Sequence, residues 1–342
     1  MMSLKLKPLA QQTIVITGAS SGIGLVTARM AARKGANVVL AARNEDALQK
    51  LAEEIVGNGG RAIYVVTDVG REEDINHVAE AARSRFGGFD TWVNNAGVSI
   101  FGSCEEVSIA DMKRMFDTNF WGVVYGSRAA VRHYRQRNQP GSLINIGSFF
   151  GDRATVVQST YSASKHAVHG WTDALRMELE AEKAPVSVTL IHPGRIDTPY
   201  NEHARSYIPQ QPAHRGMIYP PEAVAEAILF AAQRPKRDMF VGSQAKFAVL
   251  LGSLSPRLMD KFMETTMFWS QRSSRPSRSR EDNALYRPGD GLHERGTHEP
   301  AWLRASSLYV KASKHPLLSA IGIAGGALLL TRIAKASAAT KA

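Results

Sequence analysis

The sequence predicts an α/β protein: a doubly wound parallel sheet of about seven strands with helices on both faces. Three observations predict it. Residues 13–17, TIVIT, are a β-branched run that reads as a buried strand. The glycine turn Gly18-Ala19-Ser20-Ser21-Gly22-Ile23-Gly24 follows at once and opens a helical pattern over 25–34. Apolar runs and helical stretches then alternate as far as residue 242, the rhythm that builds a parallel sheet covered on both sides.

Each element has its own signal. Strand, glycine turn and helix in succession are the context in which glycines cradle a pyrophosphate. Gly18 permits the tight turn, Gly22 lets backbone approach a ligand, and Gly24 lets helix and strand pack. Thr17 ends the strand, and Ser20, Ser21 and Ile23 lie in the same turn. Residues 37–42, NVVLAA, are a second strand. A dinucleotide fold often places an acid at its end to hold a ribose hydroxyl. This chain has Ala42 and then Arg43, whose planar fork suits a 2′-phosphate, so NADP(H) is expected over NAD(H). A helix over 45–56 and a third strand over 62–66 lead to Asp68 and Val69, placed to hold an adenine edge.

A helix over 72–86 precedes a fourth strand over 91–95, which runs into Asn95, Ala96 and Gly97, small residues that keep a cleft floor open. Residues 111–134 form a long helical stretch containing Asn119. A fifth strand, 142–146, ends at Gly147-Ser148. A helix follows to about residue 182, then a sixth strand over 186–191, and then the loop His192-Pro193-Gly194-Arg195-Ile196-Asp197-Thr198. Residues 238–242 read as a seventh strand.

Tyr161 and Lys165 are four residues apart, which puts them one turn apart on one helix face. A free phenol titrates near pH ~10 and is a poor base at neutrality. A nearby ammonium favours the phenolate and lowers that value, giving a pair able to move a proton.

These motifs carry a resemblance that spans about residues 12–243. TGASSGIG at 17–24, NNAG at 94–97, Asn119, Ser148, YSASK at 161–165 and the PG at 193–194 fall in one order and spacing. The chain resembles the short-chain dehydrogenase/reductase family of the Tyr/Lys type. The resemblance implies a Rossmann-type sheet of order 3-2-1-4-5-6-7. It implies that Tyr161 donates a proton in reduction and accepts one in oxidation. Lys165 would lower its pKa and bind the nicotinamide ribose, Ser148 would hold the substrate oxygen, and Asn119 would anchor a water linking Lys165 to solvent. Pro193, Gly194, Ile196 and Thr198 would meet the cofactor, the last two at its carboxamide. Two hydroxyl donors suit the negative charge that builds on a carbonyl oxygen during hydride transfer. The expected activity is an NADP(H)-linked oxidoreductase acting on a carbonyl or secondary alcohol. The competing reading is an idle nucleotide-binding scaffold of the same fold. Gly147 stands where the family often has a second serine, and Ser21 where many NADPH users have a basic residue.

Bulk properties narrow the partners. With 44% hydrophobic and 21% charged residues the composition is that of a globular protein. Up to Ser255 there are 28 basic and 24 acidic residues; beyond it there are 14 and 7, so the basic excess belongs mainly to the tail. No base-reading motif accompanies it, and nucleic acid is not an expected partner. A single cysteine, Cys104, excludes an intramolecular disulfide, fits a reducing compartment and reads as a packing residue. No metal site is expected. The N-terminus lacks the apolar run of a secretory signal.

Residues 1–255 are the expected catalytic domain, with a substrate lid at 199–220. An apolar helix over 246–269 would cap a pocket, face a partner, lie on a membrane or pack on its own domain. Residues 270–300, rich in Ser, Arg, Pro and Gly, are expected to lack fixed structure. Residues 302–313 read as a short helix. The run 317–330, LLSAIGIAGGALLL, is shorter than the ~20 residues a bilayer core needs; it is expected to associate with a membrane from the cytoplasmic side or to pack against protein. A homo-dimer or tetramer is expected.

Overall fold

Seven apolar segments form the main sheet: β1 (Thr13–Thr17), β2 (Asn37–Ala42), β3 (Arg61–Val66), β4 (Thr91–Asn94), β5 (Gly141–Ile146), β6 (Val186–Pro193) and β7 (Asp238–Val241). The computed structural model describes residues 4–242, 249, 251, 252, 254–297, 302, 303, 307, 310, 313 and 314. The spatial order is β7-β6-β5-β4-β1-β2-β3, with every neighbouring pair parallel, as the resemblance implies. Successive side chains of a strand point to opposite faces, and the cores follow that rule. Ile14, Ile16, Val38 and Leu40 enter one core, where α1 (Gly22–Arg33), α2 (Glu45–Gly57) and α7 (Pro221–Ala231) pack. Val15, Val39 and Trp92 enter the other, with α3 (Glu72–Phe86) and α5 (Gly122–Arg137). Each fully buried Val, Ile or Leu contributes ~1.5–3 kcal/mol, so the two-sided burial dominates the stability of this frame.

The connection from β3 crosses to β4 on the far side of β1. This reversal opens a crevice at the carboxyl ends of the strands, the place where open α/β sheets bind ligands.

Five places differ from expectation. The helical stretch predicted over 111–134 is α4 (Ile109–Phe116), a π turn (Asp117–Trp121) and α5 in continuous succession. Cys104 is exposed rather than packed, because it falls in the turn that Ser103 and Glu106 close. The apolar helix expected from 246 breaks at Ser255, which is non-helical (φ −142°, ψ 79°) where Pro256 follows, and α8 runs Pro256–Ser270. Residues 246–248 lie outside the described residues.

The fourth difference is the largest. Residues 270–297 do not lack structure. Arg272–Pro276 pairs antiparallel with Gln210–Pro212, and the chain then lies across the sheet's carboxyl edge. Polar composition hides this because backbone groups make most of the contacts. Trp302–Leu303 pairs as a strand with Met217–Ile218 rather than starting a helix. No helix among the described residues is long and apolar enough to cross a membrane. The run 317–331 lies outside the described residues.

Candidate active site

The crevice encloses a cavity of about 830 Å³, towards the upper end of ligand pockets. Of the expected site residues, Gly18, Ser20, Ser21, Gly22, Ile23, Arg43, Asp68, Val69, Asn95, Ala96, Gly97, Ser148, Tyr161, Lys165, Pro193, Gly194, Ile196 and Thr198 all line it. Thr17, Gly24 and Asn119 do not; each holds the lining in place.

The Thr17 hydroxyl accepts from the backbone N–H of Asn95 at 3.0 Å and of Ala96 at 3.1 Å. The Asn95 side chain donates to the carbonyls of Thr17 and Gly18, locking the glycine turn to the end of β4. A Cβ at Gly24 would lie 2.1 Å from the Gly18 carbonyl oxygen, so only glycine lets α1 start here. Gly22 has φ +52°, and a Cβ there would press on Thr198 at 3.1 Å. Its missing side chain therefore makes room for Thr198 rather than for a ligand alone. Ser21, the N-cap of α1, makes no side-chain cap bond; the Gly22 N–H donates to the His293 carbonyl at 2.9 Å, and the N–H groups of Ile23 and Gly24 behind it are those the helix head offers to an anion. This geometry fits the pyrophosphate of a dinucleotide.

At the end of the crevice beside β2 and β3, Asp68 accepts from Arg114 at 2.5 Å and from the Gly70 N–H at 3.0 Å. Burial would raise its carboxyl, but these bonds hold it below its usual value. Arg43 donates to the carbonyls of Leu285 at 3.2 Å and Ala284 at 2.5 Å.

At the other end, α6 (Ser159–Ala181) carries Tyr161 and Lys165, both buried. Lys165 Nζ donates to the Ile146 carbonyl at 2.9 Å and stands 5.8 Å from the centre of the Tyr161 ring. Burial lowers the Lys165 pKa to about 8. Tyr161 is hydrogen-bonded to Ser148 and Tyr200. One helical turn of spacing puts the Lys165 ammonium where it would lower the phenol's pKa. In the structure the net direction is upward, because burial outweighs the opposing pull of Tyr200 and Ser148. Tyr200 was not anticipated; its hydroxyl also donates to the Val98 carbonyl at 3.2 Å.

Asn119 sits in the π turn, fully buried. Its Oδ1 accepts from the Val98 N–H at 2.8 Å, and its Nδ2 donates to the Val98 carbonyl at 3.0 Å and to Ser164 Oγ at 3.2 Å. The amide thus pins the loop after β4 to the helix turn that carries Lys165.

Behind Ser148 lies a network that spacing does not reveal. His169 Nε2 accepts from the Ser148 N–H at 3.4 Å, and its Nδ1 faces Asp152 Oδ1 at 3.5 Å. His192 Nδ1 donates to Asp152 Oδ2 at 2.8 Å, and its Nε2 faces Asp238 Oδ1 at 3.4 Å. The ligand atoms of Asp152, His169 and His192 lie within 4.8 Å of one another. All four ring nitrogens are engaged in this network, which competes with metal ligation.

The family model for short chain dehydrogenases matches residues 12–208. The chain belongs to this family. It is an oxidoreductase of a family that uses a nicotinamide cofactor. Among its relatives, the uncharacterized oxidoreductase YxnA of Bacillus subtilis is 66% identical over 323 residues, covering 94% of this chain and 90% of that protein. An uncharacterized oxidoreductase of Staphylococcus aureus, SAR2567, is 36% identical over 67% of this chain and 94% of its own. A short-chain dehydrogenase/reductase of Burkholderia phymatum, solved with NAD, has a TM-score of 0.55 at 31% identity, covering 59% of this chain and 70% of that one. A short-chain type dehydrogenase/reductase of Mycobacterium marinum has a TM-score of 0.60 at 28% identity, covering 68% and 94%.

Proposed function

We propose that this family member is an NADP(H)-dependent oxidoreductase acting on a carbonyl/secondary-alcohol pair, with Tyr161 as proton donor in reduction and acceptor in oxidation. The observation that carries the reading is the hydrogen-bonded Ser148–Tyr161 pair beside Lys165, in the same cavity that Arg43 lines at its far end. Bound nicotinamide supplies or receives the hydride. The chain's own residues do the rest. The Ser148 and Tyr161 hydroxyls donate to the substrate oxygen as negative charge gathers on it. Tyr161 releases its proton to that oxygen. Lys165, with a pKa of about 8, exchanges protons near neutrality and restores the phenol. Asn119, beside Val98 and Ser164, is assigned the water that links Lys165 to solvent.

Arg43, with no acid at Ala42, supports NADP(H) over NAD(H). Leu251, Leu258, Met259, Phe262, Met263 and Met267 line the substrate side, which supports an apolar, lipid-like substrate. Assembly as a homo-dimer or tetramer, and membrane association through 317–331, complete the reading; sizing of the full chain and its partition with liposomes test these two.

The function itself is tested by NADPH oxidation over a panel of ketones, aldehydes, steroids, retinoids and 3-oxoacyl compounds, with NADH in parallel. Turnover of apolar carbonyls with NADPH is expected. Binding of either cofactor without turnover of any carbonyl or alcohol contradicts it.

A further inference from the structure

We propose that residues 284–296 form the outer wall of the dinucleotide site, so that cofactor enters and leaves only when this strap lifts. The inference rests on a dinucleotide occupying the crevice. The strap lies beyond residue 208, where the family match ends.

The strap runs the length of the crevice and is bonded to cofactor-lining residues at each station. At the adenosine end, the Leu285 carbonyl accepts from Arg114 Nε at 3.2 Å as well as from Arg43. The Asn44 side chain donates to the Gly289 carbonyl at 2.9 Å. Over the glycine turn, the Leu292 N–H donates to the Ser20 carbonyl at 2.8 Å, and the Gly22 N–H to the His293 carbonyl at 2.9 Å. At the nicotinamide end, the Gly296 N–H donates to Asp197 Oδ1 at 3.2 Å, between Ile196 and Thr198. Its inner side belongs to the cavity: Ala284, Pro288, Gly289 and Asp290 line it. The space below the strap therefore remains open, which distinguishes a wall from a plug.

Two kinds of anchor hold it. Leu285 is fully buried in the small core that also contains Tyr161, Val98 and Met115. Glu294 pairs with Arg29 at 2.7 Å, and Arg295 with Glu222 at 2.7 Å, both partly exposed. Neither pair lies inside the cavity; Arg295 also reaches Asp197 Oδ2 at 3.4 Å, so the Glu294–Arg29 pair is the one that can be broken without touching the cofactor loop. Exposed pairs hold weakly. A belt bonded mainly through backbone groups and exposed ion pairs opens locally without unfolding the domain.

The test uses the full chain and stopped-flow fluorescence of NADPH. Glu294→Arg weakens an exposed anchor, and Leu285→Ala weakens the buried one. The association and dissociation rates are each expected to rise, dissociation by about tenfold or more, because opening limits exchange. Unchanged rates in variants with wild-type circular dichroism overturn the proposal. So does tighter NADPH binding, which would make the strap an occluding segment. Hydrogen exchange on the wild-type chain guards against misfolded variants: the amides of Leu292 and Gly296 are expected to gain about tenfold protection on NADPH saturation, and unchanged protection overturns the wall. If wild type binds neither NADPH nor NADH, the functional reading falls together with the wall. If it binds but the strap variants do not alter exchange, only the wall falls.

Discussion

Asp152 is the test of the network behind Ser148. It is the one acceptor shared by two buried histidines, so Asp152→Asn changes charge without changing shape. The new amide can accept from His192 but presents N–H groups to His169 Nδ1, which carries a proton if its Nε2 accepts from Ser148. One charge-assisted bond is weakened and one buried donor is left facing a donor, a cost of about 2–4 kcal/mol. The sign of its pH dependence follows from the shifts. Burial would raise the Asp152 carboxyl, but His169 and His192 hold it well below the usual range. Its contribution is present above its unfolded value, ~3.9, and is lost as pH falls through the lower folded value. Burial would lower His192, but Asp152 and Asp238 raise it. Its contribution is full below ~6.5 and is lost as pH rises through the higher folded value. His169 goes the other way: burial lowers it, so its contribution is present above ~6.5 and lost as pH falls. The wild-type-minus-variant difference, measured by urea unfolding, isolates the Asp152 coupling. It is expected to be largest between about pH 4.5 and 6.5 and to shrink above that as His192 loses its proton. A difference below about 0.5 kcal/mol, or one independent of pH, refutes the network.

Two further substitutions probe the cofactor end. Arg43→Ala is expected to weaken NADPH by about 10–100-fold through loss of a charge-assisted phosphate contact, with a much smaller effect on NADH; equal losses contradict the 2′-phosphate assignment. Gly24→Ala places a Cβ 2.1 Å from the Gly18 carbonyl oxygen, so a loss of about 2–4 kcal/mol is expected, read as a lower melting temperature together with weaker cofactor binding. Stability within about 0.5 kcal/mol of wild type would contradict the packing of the glycine turn.

The sheet was legible because each strand is a continuous apolar run and each turn carries its own punctuation. Ile14 and Val15 enter opposite cores, as a doubly covered strand requires. Tyr161, Lys165 and Ser148 were legible because helix spacing and strand ends fix them locally. Asp152, His169 and His192 were not, since they come from three segments that meet only through tertiary packing. Tyr200 was hidden for the same reason. The strap reads as unstructured in sequence because its polar composition says nothing of backbone groups, and those make its contacts with Ser20 and Gly22. The π turn at Asn119 is equally silent, as no residue type specifies it. The break at Ser255 was signalled by Pro256 and outweighed by the apolar stripe on either side.

The central claim is that the crevice transfers hydride with Tyr161 moving the proton. Tyr161→Phe removes the proton-bearing oxygen and keeps the ring that packs against Phe150 and Tyr200. NADPH binding by fluorescence titration is expected within about threefold of wild type, while turnover falls by ~10²–10⁴, the range for loss of a positioned acid–base group. Turnover retained at the wild-type level would contradict the account.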